Sequence, residues 1–83
     1  MPRKIRQLKA DLRRAGFAMR YSMVIEWSDE DRAFIVTVPE LPGCQSHGST
    51  YEEAVLHGQD AIESWVAAYR AEGRRIPPPR VFA

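Results

Sequence analysis

The sequence predicts an α+β fold: a three-stranded antiparallel sheet with one long helix and a possible short fourth strand (β-β-β-α-β), preceded by an N-terminal amphipathic helix. Three observations support this prediction. Two apolar runs flank a polar turn at residues 28–31, which is typical of a β-hairpin. A proline–glycine turn at residues 39–43 ends the second run. A capping signal at residues 49–53 then opens a long apolar stripe.

Residues 1–18 form a basic leader in which apolar residues recur at steps of three and four. Pro2 suits a first helical turn and Gly16 suits a helix end, so the spacing predicts an amphipathic helix between them. We expect its apolar stripe to pack on the sheet and its basic side to face solvent, with a dedicated RNA-binding helix as the alternative. The apolar positions are Ile5, Leu8, Leu12 and Ala15.

Three strands are predicted next. Residues 19–28 alternate, with apolar side chains at the odd-numbered positions. Residues 33–38 are apolar on both faces, so this second strand needs cover on both sides, from helices and a partner subunit or from a central place in the sheet. Pro39 and Pro42 cannot donate ladder hydrogen bonds and Gly43 tolerates a positive φ, so the chain turns into a third strand at residues 44–47.

The long helix has a start and an end that the sequence marks. Ser49 with Glu52, or Thr50 with Glu53, can form a capping box that satisfies free backbone donors. Gly73 is suited to the position after the last turn. The apolar stripe between them contains Ala54, Val55, Gly58, Ala61, Ile62, Trp65, Val66 and Tyr69.

Two positions in this stripe carry specific expectations. Gly58 costs up to about 1 kcal/mol relative to Ala in a helix, so we expect a close backbone contact there. Trp65 lies in the middle of the stripe and is expected to be the most costly core residue to truncate. After the helix, three prolines form a stiff spacer, and residues 80–83 are the possible fourth strand.

The charges are distributed unevenly along the chain. Residues 1–20 hold seven basic residues and one acidic residue, whereas residues 21–83 hold five arginines and ten carboxylates. An acidic globular part therefore follows a basic leader. Such a globule repels nucleic acid and attracts a basic protein.

Size and composition limit the protein further. A chain of 83 residues makes one small domain with a thin core, so we expect a homo-oligomer. The single cysteine, Cys44, excludes an internal disulfide and suits a reducing compartment. No apolar run reaches the length of a membrane span and none forms a signal peptide, so we predict a cytoplasmic protein that does not bind membranes.

Cys44, His47 and His57 have a spacing that invites a zinc interpretation. A structural zinc ion needs four convergent ligands, and here a fourth ligand is missing. A Cys–His nucleophile pair is also disfavoured, because Cys44 lies at the start of a strand and not at a helix N-terminus that would lower its pKa. We predict no metal and no cofactor.

The carboxylates give no strong catalytic signal either. Residues 29–31 are an acidic cluster in a turn, where Asp is common for local hydrogen bonding. Asp60 and Glu63 lie three residues apart on the helix, and Glu26 lies on the first strand facing away from the apolar set. A two-metal nuclease would need such groups to converge. We predict no catalytic residue and no enzyme activity.

Several segments in order resemble the N-terminal domain of HicB-type antitoxins: residues 21–26, 34–44, 48–54 and 73–79. The Pro-x-Leu-Pro-Gly-Cys turn at residues 39–44 is the most specific part, and the resemblance covers residues 19–79. It implies a partial RNase H fold without a complete catalytic centre. It also implies binding to a small HicA-type toxin that cleaves mRNA, in a type II toxin–antitoxin system.

The leader resembles a different protein, the HicA toxin itself. Its Ile5-x-x-Leu8 spacing and its closing Arg14-Ala15-Gly16-Phe17 are similar to the opening helix of HicA toxins, but the Gly-Ser-His strand with the catalytic histidine is absent. We therefore divide the chain into a leader, residues 1–18, and a HicB-like domain, residues 19–83. We expect the leader to lack toxin activity and to be dispensable for folding. Because the sequence stops before the DNA-binding module that HicB-type antitoxins often carry, we expect no DNA binding.

The leading hypothesis is an antitoxin that binds and neutralises a basic HicA-type toxin. The carboxylates predicted to bind the toxin are Asp29, Glu30, Asp31, Glu40 and Glu52. A double-stranded-RNA-binding module is one alternative, because it shares the order α-β-β-β-α, but the helix start at residues 51–53 is acidic where that module needs lysines. A vestigial RNase H-like nuclease is the other alternative.

Overall fold

The computed structural model describes residues 2–82 and confirms the α+β class. A short 3-10 helix follows the first α-helix, and the three strands and the long helix come next in chain order. The elements are α1 (Arg3–Arg14), the 3-10 helix (Phe17–Arg20), β1 (Val24–Ser28), β2 (Ala33–Thr37), β3 (Gln45–Gly48) and α2 (Tyr51–Ala71). Neither α-helix within this range is both long enough and apolar enough to cross a membrane.

The sheet is antiparallel, in the order β1-β2-β3. β2 holds the central place in the sheet, and α2 covers one of its two apolar faces. Val36 faces α2 and is fully buried, whereas Ile35, its neighbour on the other face, is half-buried. Within residues 2–82, helices cover only one face of the sheet.

β1 begins later than the sequence predicts. Met19 lies in the 3-10 helix and is exposed, so the alternation that starts at residue 19 is not a strand pattern in its first half. Tyr21 is buried, and its hydroxyl donates a hydrogen bond to the carbonyl of Pro77 at 2.6 Å. The backbone N–H of Ser22 donates to the Glu40 carboxylate instead of to a strand. These contacts hold residues 21–22 outside the ladder.

The proline–glycine turn redirects the chain as predicted. Gly43 has a φ of 79°, in the left-handed region that favours glycine. The backbone N–H of Val38 donates to the carbonyl of Cys44 at 3.1 Å, and the N–H of Cys44 donates to Leu41 at 3.0 Å. Leu41 is fully buried inside the turn. β3 then starts at Gln45, one residue later than expected.

The start of α2 selects one of the two possible capping boxes. Thr50 is the N-cap, and its hydroxyl accepts the backbone N–H of Glu53 at 3.1 Å. The Glu53 carboxylate in turn accepts the N–H of Ser49 at 2.8 Å. Backbone donors that the first helical turn leaves free are thereby satisfied. At the other end the helix stops at Ala71, two residues before Gly73.

Gly58 confirms the expectation of a close contact. A Cβ atom at this position would lie 2.9 Å from the sulfur of Met23 and 3.0 Å from a methyl carbon of Val36. At Gly48 a Cβ atom would lie 2.4 Å from the backbone nitrogen of Ala54. Glycine at both positions therefore lets α2 lie directly on the sheet.

The centre of the core is aliphatic. The largest fully buried side chains are Leu41, Ile62, Val36 and Val66. Trp65 is only half-buried: its ring stacks on Tyr69, and its indole N–H donates to the carbonyl of Pro42 at 3.0 Å. A tryptophan at this position reaches the protein surface because its partner is a turn carbonyl and not the sheet.

The leader packs as part of the same core, but the apolar stripe of α1 lies on α2 and not, as the sequence predicts, on the sheet. Leu12 and Ala18 are buried together with Ile62 and Val66. The guanidinium of Arg13 lies 2.8 Å from the carboxylate of Glu63, which is itself buried. This packing gives no support to the expectation that residues 1–18 are dispensable. The division of the chain after residue 18 stays a prediction.

The fourth strand is absent from the described residues. Arg80, Val81 and Phe82 pair with no strand, and Ala83 lies outside the described range. The preceding prolines lack N–H donors, so the segment cannot form a full ladder. It is fixed instead by the Tyr21–Pro77 hydrogen bond and by the backbone N–H of Arg80, which donates to Glu40 at 2.9 Å.

The role of the leader can be tested by truncating Leu12. We expect Leu12→Ala to lower the free energy of unfolding by about 2–5 kcal/mol, because it leaves a cavity between α1 and α2. Leu56→Ala, at an exposed position of α2, is the matched control and should change it by no more than about 0.5 kcal/mol. The measurement is urea unfolding followed by circular dichroism. Equal effects of the two substitutions would show that α1 is not part of the core.

Candidate partner-binding site

The fold brings four of the five predicted carboxylates to one end of the sheet. The β1–β2 turn holds Asp29, Glu30 and Asp31. Phe34, just after this turn, pairs with Gly48, and α2 begins three residues beyond Gly48. Glu52 therefore lies at the same end as the turn. We call this region the acidic end.

Three aromatic rings connect the two parts of the acidic end. The rings of Trp27 and Phe34 meet edge to face at a centroid distance of 5.1 Å. Phe34 stacks on Tyr51 with centroids 4.3 Å apart. These distances are typical of favourable aromatic pairs, each worth about 0.5–1.5 kcal/mol beyond its buried area. We call these three residues the aromatic ladder, and its two outer rings are exposed.

The β1–β2 turn is ordered by its own polar groups. The indole N–H of Trp27 donates to the Asp29 carboxylate at 2.7 Å, which ties the turn to the aromatic ladder. The backbone N–H of Asp31 donates to the hydroxyl of Ser28 at 3.1 Å. Arg32 closes the turn with a φ of 53°, a conformation that few non-glycine residues adopt. These contacts restrict where the carboxylates of the turn can point.

Glu52 lies in the first turn of α2 and is exposed. A negative charge at this position stabilises the helix, because the free N–H groups of the first turn carry a partial positive charge. Because it is exposed, the Glu52 side chain can stabilise the helix start and remain accessible to a partner.

Glu40, the fifth carboxylate, lies at the opposite end of the sheet. It accepts hydrogen bonds from the hydroxyl of Ser22 at 2.9 Å, from the backbone N–H of Ser22 at 3.0 Å and from that of Arg80 at 2.9 Å. The carboxylate thus joins the segment before β1 to the C-terminal segment. The structure gives Glu40 a clear intramolecular role, and its part in partner binding stays a prediction.

Cys44, His47 and His57 do not form a reactive cluster. Burial raises the pKa of the Cys44 thiol to about 11, so the thiolate that a nucleophile or metal ligand requires is disfavoured. A ring nitrogen of His57 lies 2.7 Å from the backbone carbonyl oxygen of His47, and the two rings are 6.4 Å apart. Within residues 2–82 no three His, Cys, Asp or Glu side chains are placed to hold a metal ion.

The helix carboxylates are engaged by the leader. Asp60 lies 2.7 Å from the amine of Lys9 and 2.9 Å from the guanidinium of Arg13, which also contacts Glu63. Burial alone would raise the pKa of Asp60, but the bonds and charges of Lys9 and Arg13 hold it below its usual range. Glu26 points to the other face of the sheet. These three carboxylates do not converge on one point.

Sequence reasoning missed the aromatic ladder. The sequence places Trp27 and Phe34 only as apolar positions of two predicted strands, and Tyr51 only at the start of the helix. The alternation of polar and apolar residues cannot show that these rings touch, because the contact depends on the register that pairs Trp27 with Phe34. The signal that was available is the presence of aromatic residues beside acidic ones on both sides of the hairpin turn and at the start of the long helix.

Comparisons with known proteins give a consistent result. Residues 21–83 match the sequence model of a family described as HicB_like antitoxin of bacterial toxin-antitoxin system. A UPF0150 protein of Thermoplasma acidophilum is 36% identical over 59 residues, 71% of this chain and 84% of the relative. A UPF0150 protein of Archaeoglobus fulgidus is 38% identical over 48 residues, 58% of this chain and 68% of the relative. One of Synechocystis sp. is 33% identical over 57 residues, 69% and 71% of the two chains. No solved structure matches.

Glu40 provides a test of the polar framework through pH. Burial on its own would raise the pKa of the Glu40 carboxyl, but the hydrogen bonds from Arg80 and Ser22 outweigh it and lower the pKa. A carboxyl whose pKa is lowered by folding stabilises the protein above its unfolded pKa, about 4.3 for Glu. That contribution is lost as the pH falls through the folded value.

We therefore expect the free energy of unfolding to fall more steeply in the wild type than in Glu40→Gln when the pH is lowered from about 5 to about 3. The measurement is urea unfolding at a series of pH values. Glu30→Gln is the control, because it removes one exposed carboxyl without touching these hydrogen bonds. Parallel pH profiles for the wild type and Glu40→Gln would contradict the role given to Glu40.

Proposed function

The chain belongs to the HicB-like antitoxin family, and on this basis we propose that it binds and neutralises a HicA-type toxin that cleaves mRNA. It would form the antitoxin half of a type II toxin–antitoxin pair. The observation that carries the proposal is the acidic end, where carboxylates surround exposed aromatic rings in a member of an antitoxin family. A basic RNA-cleaving protein fits such a surface.

The charge distribution supports this choice of partner. The carboxylates of residues 29–31 and of Glu52 form no ion pair within residues 2–82, so their charges remain available to a partner. The leader instead pairs Lys9 and Arg13 with carboxylates on the flank of α2. The basic side of the molecule is thus partly neutralised, whereas the acidic end keeps its negative charge. A negative surface attracts a basic protein and repels RNA.

Neutralisation in this proposal needs no chemistry from the antitoxin. The thiol of Cys44 is buried, and the carboxylates of Asp60 and Glu63 are held by α1. The protein would act by covering the surface through which the toxin reaches RNA. We place this activity in the cytoplasm, where the toxin meets mRNA and where a free cysteine stays reduced.

The RNA-binding alternative keeps one supporting observation, since the order α1-β1-β2-β3-α2 is that of a double-stranded-RNA-binding domain. In such a domain the start of the last helix contacts phosphates. Here Glu52 and Glu53 occupy that start, and they repel phosphates. The nuclease alternative lacks a converging carboxylate set. Both alternatives are less consistent with the structure than toxin binding.

We also propose that a second copy of the chain covers the face of the sheet opposite α2. We call this the outer face. The footprint of the outer face is roughly 240 Å², from three strands of about five residues with a spacing of 4.8 Å and a rise of 3.3 Å per residue. A standard interface buries about 800 Å² on each partner. The association should therefore be weak and depend on concentration. The outer face consists of Val24, Glu26, Ser28, Ala33, Ile35, Thr37, Gln45 and His47.

The outer face is self-complementary in one orientation. Register places Glu26, Ile35 and His47 in one row across the three strands. A two-fold axis along β2 would put Glu26 of one copy opposite His47 of the other, with the Ile35 side chains between them. An axis perpendicular to the strands would bring the two Glu26 carboxylates together, which is unfavourable.

The toxin-binding proposal predicts that this protein stops RNA cleavage by the HicA-type toxin encoded next to its gene. We expect stoichiometric inhibition in an RNA-cleavage assay with purified proteins. Stopped-flow association should slow as salt rises past about 0.1 M, where the Debye length is ~10 Å, while dissociation changes less. Undiminished cleavage at excess antitoxin would reject the proposal. An association rate that ignores salt would reject its electrostatic part alone.

The outer-face proposal predicts a mass above 9.5 kDa at high protein concentration. Sedimentation equilibrium should show a monomer–dimer equilibrium that Ile35→Glu abolishes, because it places a charge in the centre of the face. Val81→Glu, at an exposed position outside the three strands, is the control. A wild type that stays monomeric up to millimolar concentration would contradict the proposal.

A further inference from the structure

We propose that the toxin is anchored by apolar contacts on one continuous surface that runs from the aromatic ladder over the first two turns of α2 to Met19. This inference rests on the proposed function and specifies which part of the protein performs it. We call this region the docking surface. It consists of Met19, Trp27, Phe34, Tyr51, Val55 and Leu56.

The docking surface contains most of the large apolar side chains that the fold leaves in water. Met19 is 75% exposed, Leu56 64% and Tyr51 61%, and Trp27 is 49% exposed. Single exposed apolar residues are ordinary on protein surfaces, whereas several that adjoin one another mark an interaction site.

Their neighbours show that they form one surface. The ladder joins Trp27 to Tyr51 through ring contacts. Tyr51, Val55 and Leu56 line a shallow groove on α2 together with Glu52 and Gln59. Leu56 and Gln59 also line the adjacent hollow, which Met19 lines together with the Arg13–Glu63 ion pair. Each step shares a residue with the next, so the surface is continuous, with charged side chains bordering it at the Met19 end.

The packing of the helices explains why this surface is uncovered. α1 contacts the flank of α2 at Asp60 and Glu63, where Lys9 and Arg13 form ion pairs. The first two turns of α2, residues 51–58, lie beyond those contacts. Their sheet-facing side is filled by Ala54 and Gly58, and the flanking Leu56 has no cover from either helix or sheet.

The surrounding charges select a protein as the occupant. The carboxylates of residues 29–31 and of Glu52 lie beside the ladder, and a basic protein with an apolar centre complements them. Exposed aromatic rings also stack with nucleic acid bases, but such sites are flanked by positive charge that neutralises phosphates. At the aromatic ladder the flanking charge is negative, from residues 29–31 and Glu52. The proposed toxin, a basic protein, has the required chemistry.

Apolar and charged residues should have different kinetic effects. Binding energy at interfaces is concentrated in a few desolvated residues, among which Trp and Tyr are enriched, whereas charges at the rim mainly speed encounter. Substitutions on the docking surface should therefore raise the dissociation rate of the toxin complex. Substitutions of the carboxylates should lower the association rate.

The test compares Leu56→Asp with Val81→Asp. The side chains of Leu56 and Val81 are similarly exposed, at 64% and 68%, and each substitution adds one negative charge. The binding partner is the neighbouring HicA-type toxin with its catalytic histidine replaced by alanine, measured by surface plasmon resonance. We expect Leu56→Asp to raise the dissociation rate at least tenfold and Val81→Asp to change it less than threefold.

Circular dichroism and urea unfolding establish that each variant is folded. If Leu56→Asp does not fold, Tyr51→Gln takes its place, because Tyr51 lies at the first position of α2 and is exposed. If the folded docking-surface variant dissociates from the toxin at the wild-type rate, the inference is overturned. The proposed function still stands in that case, provided that the wild type inhibits the toxin.

A third arm replaces the toxin with a labelled single-stranded RNA. We expect no binding at physiological salt. RNA binding that Leu56→Asp abolishes would overturn the inference in favour of a nucleic-acid surface. If the wild type fails to inhibit the toxin at all, the proposed function fails and the docking surface fails with it.

Discussion

The structure depends on how closely α2 lies against the sheet. At Gly48 an added Cβ would come within 2.4 Å of backbone, and at Gly58 within 3.0 Å of two side chains, so glycine is required at both contact points. Overpacking at such positions typically costs about 1–3 kcal/mol. Because the helix lies this low, Ile62 and Val66 reach the inside of the proline turn around Leu41. A chain of this size has no second layer to compensate if that contact is lost.

The positions of the exposed surfaces follow from that contact. One helix covers one face of a three-stranded sheet, so no helix among the described residues covers the outer face. α1 then adds to the flank of α2 beyond Asp60, where its lysine and arginine meet acidic partners. Nothing in residues 2–82 covers the first turns of α2 or the ends of the aromatic ladder. The carboxylates gather at the same end because the hairpin turn and the helix start both lie there. The proposed binding of a basic toxin rests on this combination of exposed apolar side chains and negative charge.

Much of the fold could be predicted from local rules. The proline–glycine turn, the capped start of α2 and the close contact at Gly58 each follow from one residue type in a required conformation. The start of β1 could not be predicted, because the alternation of apolar residues from residue 19 runs through a 3-10 helix. The Glu40 carboxylate also holds Ser22 outside the ladder. The partial exposure of Trp65 could not be predicted from the apolar periodicity of the helix either, since its indole binds the carbonyl of Pro42, 23 residues away in the sequence. In the candidate site, the residue types alone predict the acidic turn. The aromatic ladder could not be predicted in this way, because it forms only when the register of the strands brings the rings together.

The two tryptophans allow a direct measurement of the proposed binding at the acidic end. Trp27 belongs to the docking surface, whereas Trp65 contacts the turn at the opposite end of the sheet. The protein can be labelled with 5-fluorotryptophan, and Trp65→Phe assigns the two fluorine resonances. On addition of unlabelled inactive toxin, the account predicts a shift of the Trp27 resonance and little change in that of Trp65. A complex that forms by gel filtration but shifts only Trp65, or neither resonance, would contradict it.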